Sequence, residues 1–275
     1  MSGAIGVFDS GVGGLTVLRE LQRALPWEST IYLGDSARVP YGGLPPEIIS
    51  RYTLECLDYL YDQGVKALVL ACNSATAAAL EPAQASFPVP VIGVIDATAR
   101  TVAASGRARV GVLGTEATVA SGEYLRAILS HREGLDVLQQ ACPRLAGQVE
   151  AGELATRKTE MLLEGYLRPL REQGIDTLVL GCTHYGFLRP LIQRLMGSDV
   201  QLVECGPSVA ATLAALMAEG SVDGDEGGQP VHRLLTTGEA EAFRRVASTL
   251  WPEGLPEIEE VTVGVAHGAV RRQAA

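Results

Sequence analysis

Lysine is the scarcest informative residue in this 275-residue chain, which contains only Lys66 and Lys158. A pyridoxal phosphate enzyme needs a lysine to form a Schiff base with its cofactor. Lys66 precedes an apolar run that predicts a strand, at the end opposite to the polar residues that follow the run, and Lys158 lies in a charged helical stretch. Neither lysine is placed to hold that cofactor, so we expect chemistry that uses none.

An excess of positive charge is also absent, since the formal net charge is −10. Nucleic acids and anionic membranes bind basic surfaces, so we expect neither as a partner. The first residues, MSGAIGVFDS, have no basic segment followed by a long apolar run, which a signal peptide or a membrane anchor would need. We therefore expect a cytoplasmic protein that binds a small molecule.

Paired cysteines are missing as well. None of the five cysteines forms a C-x-x-C pair, and their number is odd, so neither a disulfide framework nor a structural metal site is expected. In a cytosolic protein they would be reduced thiols. They are Cys56, Cys72, Cys142, Cys182 and Cys205.

Short apolar runs alternate with longer amphipathic ones along the whole chain. Most of the short runs are continuously apolar, which is typical of parallel strands covered on both faces. Strands that alternate with helices predict an α/β fold with helices on both faces of mainly parallel sheets. The predicted strands are 5–9, 30–35, 67–72, 91–95, 109–114, 136–142, 177–182, 201–205, 231–238 and 258–264.

Two pairs of segments indicate an internal duplication. LVLAC (68–72) is similar to LVLGC (178–182), and IGVFDSG (5–11) is similar to VGVLGTE (110–116) in the same order and at a similar offset. We therefore predict two pseudo-symmetric, doubly wound domains.

The first predicted domain comprises residues 1–97 and is completed by residues 208–275, and the second comprises residues 98–207. Ligands of open α/β sheets bind beyond the carboxyl ends of the strands. Cys72 and Cys182 both follow a strand at that position. If the domains face each other, the two thiols lie across one cleft, which is where we expect the active site.

A helix N-terminus favours the thiolate, which is the reactive form of cysteine. A single cysteine after a strand would be read as packing, but two in matched positions favour catalysis. A thiolate that removes a proton from one face of a carbon, opposite a thiol that returns a proton to the other face, is suited to racemisation. Polar residues gather around both thiols, namely Asp9 and Ser10 after the first strand, Asn73, Ser74 and Thr76 after Cys72, and Thr183 and His184 after Cys182.

At these residues the chain resembles the glutamate racemases of the cofactor-independent aspartate/glutamate racemase superfamily. The matching stretches are FDSGVGGLTVL (8–18), GDSARVPYG (34–42), ACNSATA (71–77), ACPRLAGQVEAG (141–152) and LGCTHY (180–185). The chain departs from the family pattern at Ser74, where Thr is usual, and at Gly186, where Pro is usual.

The resemblance implies that Cys72 and Cys182 are catalytic, assisted by Asp9, His184 and the acid Glu150. It implies that glutamate is bound by Asp9, Ser10, Pro40, Tyr41, Gly42, Asn73, Ser74, Thr76, Thr118, Thr183 and His184. It also implies interconversion of L- and D-glutamate for peptidoglycan synthesis without a cofactor or a metal, in a homodimer.

Four alternatives stay open at this point. An aspartate racemase would share both thiols. A decarboxylase-like lyase of the same fold needs only one, and a cysteine hydrolase would leave either Cys72 or Cys182 without a role. A non-catalytic amino-acid-binding protein would need the polar cleft but not the thiols.

Overall fold

The computed structural model describes residues 3–224, 229–249, 251 and 254–264. The strands of this part of the chain all fall within runs predicted as strands. They are β1 (Ile5–Asp9), β2 (Thr30–Gly34), β3 (Ala67–Leu70), β4 (Val91–Gly93), β5 (Arg109–Gly114), β6 (Asp136–Ala141), β7 (Thr177–Gly181), β8 (Gln201–Val203), β9 (His232–Thr236) and β10 (Ile258–Glu260).

Helices separate most of the strands. They are α1 (Leu15–Ala24), α2 (Pro46–Asp62), α3 (Asn73–Ser86), α4 (Val94–Ala104), α5 (Glu116–Ser121), α6 (Glu123–His131), α7 (Leu145–Glu150), α8 (Arg157–Glu172), α9 (Arg189–Met196), α10 (Cys205–Ala218) and α11 (Ala240–Ala247). Two short 3₁₀ helices cover Tyr41–Gly43 and Thr183–Leu188. None of the described helices is long and apolar enough to span a membrane.

The strands form two sheets in which every described pairing is parallel. The six-stranded sheet has the order β10-β9-β2-β1-β3-β4, and the four-stranded sheet has the order β6-β5-β7-β8. The order β2-β1-β3-β4 is therefore repeated as β6-β5-β7-β8. This arrangement confirms the predicted fold class and explains why the sequence segments at β1 and β5, and at β3 and β7, are similar.

The central strands are buried along their length, as their continuous apolar runs predict. Every residue of β1, β2, β3 and β7 is buried, and helices cover them. Because neighbouring strands run parallel, their carboxyl ends meet at one edge of each sheet. Residues that follow these ends are therefore brought together.

The C-terminal part of the chain returns to the first sheet. Strand β9 pairs with β2, and β10 pairs with β9. Helix α10, which precedes them, packs against both α1 and α4. Residues 225–228 and 265–275 of the first predicted domain lie outside the described residues, and the boundaries at 97/98 and 207/208 stay a prediction.

Candidate active site

Cys72 lies at the N-terminus of α3, two residues after the last residue of β3. Its sulfur accepts a hydrogen bond from the backbone N–H of Ala75 at 3.5 Å. The thiol lies 3.6 Å from the hydroxyl oxygen of Ser10, which follows β1. Cys72 is 6% exposed, so the thiol is held in a nearly closed environment by the helix end and one hydroxyl.

Cys182 follows β7 directly but does not begin an α-helix. The helix that follows Cys72 is the α-helix α3, whereas the helix that follows Cys182 is the 3₁₀ helix Thr183–Leu188. Pro190 favours this difference, because proline is better tolerated in the first turn of an α-helix than in its interior. The α-helix therefore begins at Arg189, with Pro190 in its first turn.

The Cys182 sulfur lies within hydrogen-bonding distance of an imidazole. His184 Nδ1 lies 3.6 Å from Cys182 Sγ, and His184 Nε2 lies 2.6 Å from Glu150 Oε1. Glu150 Oε1 also accepts a hydrogen bond of 3.0 Å from the backbone N–H of Val12. The contact between α7 and the 3₁₀ helix thus joins the thiol, the imidazole and a carboxylate in a row.

This row favours a charged imidazole. Burial by itself lowers the pKa of His184, but the contacts with Cys182 and Glu150 outweigh it and raise that pKa well above its usual value. Burial by itself raises the pKa of Glu150, but the contact with His184 and the Val12 amide outweigh it and lower that pKa. The protonated His184 therefore lies between the Glu150 carboxylate and the Cys182 sulfur, where it can donate a hydrogen bond to each.

The environment of the Cys72 thiol disfavours its ionised form. Burial, followed by the nearby carboxylate of Asp9, raises the pKa of Cys72 to about 12, against the smaller lowering effects of Ala75 and Ser10. Near neutral pH this thiol keeps its proton. The two cysteines are therefore arranged as one proton donor and one candidate base.

Asp9 connects the two sides of the site from the end of β1. Its Oδ1 accepts a bond of 3.0 Å from the Gly11 N–H, and its Oδ2 accepts one of 3.0 Å from the Thr183 hydroxyl. Burial raises the pKa of Asp9, although the charge of His184 and these hydrogen bonds oppose the shift. A Cβ atom at Gly13 would lie 2.4 Å from the Thr183 hydroxyl oxygen, so only glycine permits this close approach.

Both thiols line one small cavity. All but two of its lining residues were predicted from the sequence, and the exceptions are Thr115 and Ala146. The lining consists of Ser10, Pro40, Tyr41, Gly42, Cys72, Asn73, Ser74, Thr115, Ala146, Cys182, Thr183 and His184. The structure thus brings together residues from the carboxyl edges of both sheets.

Four predicted site residues lie behind this lining. Asp9 and Glu150 contact lining residues, as described above. The Thr118 hydroxyl lies 3.0 Å from that of Thr115 and 3.4 Å from that of Ser74. Thr76 donates to the carbonyl of Leu70 at 3.1 Å, which ties the start of α3 to the end of β3.

The loop after β2 supplies Pro40, Tyr41 and Gly42. The Tyr41 hydroxyl donates to Asp35 Oδ2, and the Thr237 hydroxyl, just after β9, donates to Asp35 Oδ1 at 2.7 Å. A Cβ atom at Gly42 would lie 2.6 Å from the side chain of Thr115, so the loop approaches the other sheet closely. The C-terminal strands therefore support one wall of the cavity.

Thr115 was missed by the sequence analysis, although the duplication contains a signal for it. The similarity of segments 5–11 and 110–116 places Thr115 opposite Ser10. In the structure Ser10 contacts Cys72, and Thr115 lies 2.8 Å from the Ser74 hydroxyl. Ala146 had no comparable signal, because an alanine in a helix is read as packing.

A larger cavity lies on the other side of Cys182 and Thr183, between α1, α9 and α10. Two arginines and two glutamates line it, namely Arg19, Arg189, Glu20 and Glu204. Only one of the matched thiols reaches this space. The smaller cavity is therefore the candidate active site.

The lysines lie away from the candidate site. Lys66 Nζ is 2.5 Å from Glu28 Oε2, before β3 and thus at the opposite edge of the sheet from Cys72. Lys158 lies on α8 with its side chain 65% exposed. Within the described parts of the chain, no group of three His, Cys, Asp or Glu side chains is placed to hold a metal ion.

Comparison with known proteins gives the family to which the chain belongs. The family model described as Asp/Glu/Hydantoin racemase matches residues 5–214. A glutamate racemase of Parafrankia sp. is 46% identical over all of this chain and 98% of its own length. The chain belongs to this racemase family. It is thus an amino-acid racemase by family membership.

Solved structures of glutamate racemases have the same fold over nearly the whole chain. One from Bacillus anthracis is 36% identical with a TM-score of 0.89, covering 95% of this chain and 98% of its own. One from Francisella tularensis, in complex with D-glutamate, is 32% identical with a TM-score of 0.87 and the same coverage.

Proposed function

We propose that this racemase interconverts L-glutamate and D-glutamate by a two-base mechanism that uses Cys72 and Cys182 and no cofactor. The observation that carries the proposal is that the two thiols, each 6% exposed, line one cavity from equivalent positions of the two sheets. Racemisation requires one acid–base group on each face of the reacting carbon, and this placement provides both.

The two thiols have different neighbours before a turnover begins. The imidazole of His184 lies 3.6 Å from the Cys182 sulfur, whereas burial and Asp9 raise the pKa of Cys72 to about 12, so that Cys72 keeps its proton. A thiolate at Cys182 can remove the α-proton from one face while Cys72 gives its proton to the other face. In the reverse direction the roles of the two groups are exchanged.

Polar groups around the cavity can stabilise the charge that develops when the α-proton leaves. Asn73 and Ser74 line the cavity with donor groups, and the first turn of α3 adds free backbone amides. The low exposure of the lining excludes water, which strengthens these interactions. These donors also fit the carboxylates of a small acidic amino acid.

Glutamate is the proposed substrate because the relatives described above are glutamate racemases and one of them is complexed with D-glutamate. Following the family resemblance of the sequence, we also propose a homodimer in the cytoplasm that supplies D-glutamate for peptidoglycan. We also propose residues 1–97 with 208–275, and residues 98–207, as its two domains.

Incubation of the purified protein with L-glutamate in D₂O, without added cofactor, tests the proposal. The α-proton is followed by NMR and the optical activity by polarimetry. We expect both signals to disappear. Retained optical activity without exchange would reject glutamate as substrate and direct the same assay to aspartate, whereas exchange without loss of optical activity would reject the two-base mechanism.

A further inference from the structure

Asn73 is the one amide side chain in the cavity lining, and its oxygen is already occupied by protein groups. The hydroxyl of Tyr124 donates to Asn73 Oδ1 at 2.7 Å. The thiol of Cys205 lies 3.6 Å from the same oxygen and 3.4 Å from the Tyr124 hydroxyl. These three residues come from the first turns of α3, α6 and α10, so the contact joins three helices.

Both neighbours of the amide oxygen keep their protons. Burial raises the pKa of Tyr124 well above its usual value and also raises the pKa of Cys205. The Tyr124 hydroxyl therefore points its proton at one place on Asn73, and the Cys205 thiol lies between this place and the carbonyl oxygen of Leu180 at 3.5 Å. That place suits the amide oxygen, because the NH₂ group would meet two groups whose own protons compete with it.

The other branch of the amide has no partner. Asn73 is 2% exposed, and its Nδ2 has no hydrogen-bond partner among the described residues. Buried donors are rarely left unsatisfied in folded proteins. Since Asn73 lines the cavity between the two thiols, a ligand there is the natural acceptor.

We propose that Tyr124 is a positioning residue for substrate recognition, which acts by holding the Asn73 amide with its NH₂ group toward a carboxylate of the bound amino acid. Cys205 assists it at the same oxygen. Neither residue lines the cavity, so neither touches the substrate. The proposal rests on the proposed glutamate racemase function.

The test is the substitution Tyr124→Phe, with kcat and KM measured for both enantiomers of glutamate. Without the hydroxyl the amide can rotate, so that its oxygen faces the carboxylate. We expect KM to rise about three- to tenfold, the loss typical of one net hydrogen bond, with kcat changed by less than about twofold. A purely structural role would instead lower the melting temperature and kcat and leave KM unchanged.

Two further measurements distinguish the positioning role of Tyr124 from a purely structural role. In an Asn73→Ala background, Tyr124→Phe should have no additional effect on KM, since the group that it positions is gone. Cys205→Ala should raise KM less than Tyr124→Phe does, and Cys205→Ser, which keeps a donor, should restore it. Additive effects on KM in the double variant would overturn the proposal.

Tyr166→Phe is the matched control. It removes a tyrosine hydroxyl that donates to the carbonyl of Pro143 at 2.6 Å, away from the cavity lining, and it should leave KM unchanged. If the unchanged protein racemises glutamate and KM is the same in Tyr124→Phe, the positioning role is wrong and the proposed function stands. No turnover by the unchanged protein would overturn both.

Discussion

Cys72 and Cys182 occupy the same place in two copies of one structural unit, yet their surroundings differ. Both follow the strand that pairs with the first strand of their unit, and both are 6% exposed. Cys72 meets a helix amide and a serine hydroxyl, whereas Cys182 meets an imidazole that is paired with a carboxylate.

The difference arises within two residues of each thiol. The duplication aligns Ser74 with His184, so one copy carries a hydroxyl where the other carries a group that can be charged. The repeated fold thus provides two symmetric positions, and a local change in sequence makes them chemically unequal. Two thiols with equal affinity for protons would have no preferred donor and no preferred base at the start of a turnover.

The largest expected effect comes from removing either thiol. Cys72→Ser and Cys182→Ser should each lower the racemisation rate by about 10³-fold or more, because each removes the acid–base group of one face. The rate is measured by polarimetry with both enantiomers. Racemisation near the unchanged rate in either variant would contradict the two-base mechanism.

Cys142→Ser is the matched control for this experiment. Cys142 is buried, and its thiol contacts the carbonyl of Gln140 outside the cavity lining. We expect its racemisation rate to stay within about threefold of the unchanged protein, which would show that serine at a buried thiol position is tolerated.

The rates of alkylation should show directly that the two thiols differ in reactivity. At neutral pH we expect iodoacetamide to modify Cys182 at least about tenfold faster than Cys72, since a charged imidazole lies beside Cys182 only and Cys182 also borders the larger cavity. Peptide mass spectrometry after short exposure measures both rates, and a faster reaction at Cys72 would reverse the proposed starting states.

Glu150→Gln should reduce the difference in alkylation rate between Cys182 and Cys72. Without the carboxylate the pKa of His184 falls, so a charged imidazole lies beside the Cys182 sulfur less often. We expect about tenfold slower alkylation of Cys182 and a similar loss of racemisation, with Cys72 alkylation unchanged. An unchanged Cys182 rate would mean that the carboxylate does not act through His184.

Glu153→Gln provides the control for Glu150→Gln. Glu153 is partly exposed and pairs with Lys158 at 3.5 Å, three residues along the chain from Glu150. Both the alkylation pattern and the racemisation rate should match those of the unchanged protein, which isolates the effect of the His184 contact from that of a lost surface charge.

The smallest expected effect is on the pH dependence of stability. It concerns one aspartate in each of the two units, Asp9 in the first and Asp176 in the second. Burial raises the pKa of Asp9, so the stability of the unchanged protein relative to Asp9→Asn should increase as the pH falls through the folded-state pKa toward about 4. In Asp176, burial is outweighed by the backbone amides of Ala108 and Arg109 and by Thr177, and the pKa is lowered.

Asp176→Asn should therefore show the opposite slope, because the stabilisation by Asp176 is present above the unfolded-state pKa of about 4 and is lost as the pH falls through the lower folded-state pKa. Melting temperatures between about pH 7 and about pH 3 measure both series, because the Asp176 contribution is lost below about pH 4. Slopes of the same sign would show that one of the two environments has been misjudged.

Much of the fold could be predicted because the strands carry continuous apolar runs. The duplicated segments at β1 and β5, and at β3 and β7, indicated two similar units, and polar residues after the strands indicated the edge that holds the cavity. Periodicity did not distinguish the 3₁₀ helix after Cys182 from a regular helix, although Pro190 was a local warning. The similarity of segments 5–11 and 110–116 also aligns Thr115 with Ser10, which indicates a place for Thr115 in the site.

Tyr124 and Cys205 could not be found by such reasoning. In the sequence each is a buried-looking residue near a helix start, the same appearance as core packing. Their importance depends on the relative position of α3, α6 and α10, which are separated by long stretches of chain. Only the three-dimensional arrangement shows that both point at the amide of Asn73.

The pairing of β9 with β2 has a consequence for synthesis on the ribosome. About 200 residues separate the end of β2 from the start of β9, which takes about 10–40 s at ordinary rates of translation. During that interval the whole four-stranded sheet can emerge and fold, while the outer edge of β2 still lacks its neighbour. A nascent chain of this protein therefore carries an open strand edge, the kind of surface that chaperones protect and neighbouring nascent chains can capture.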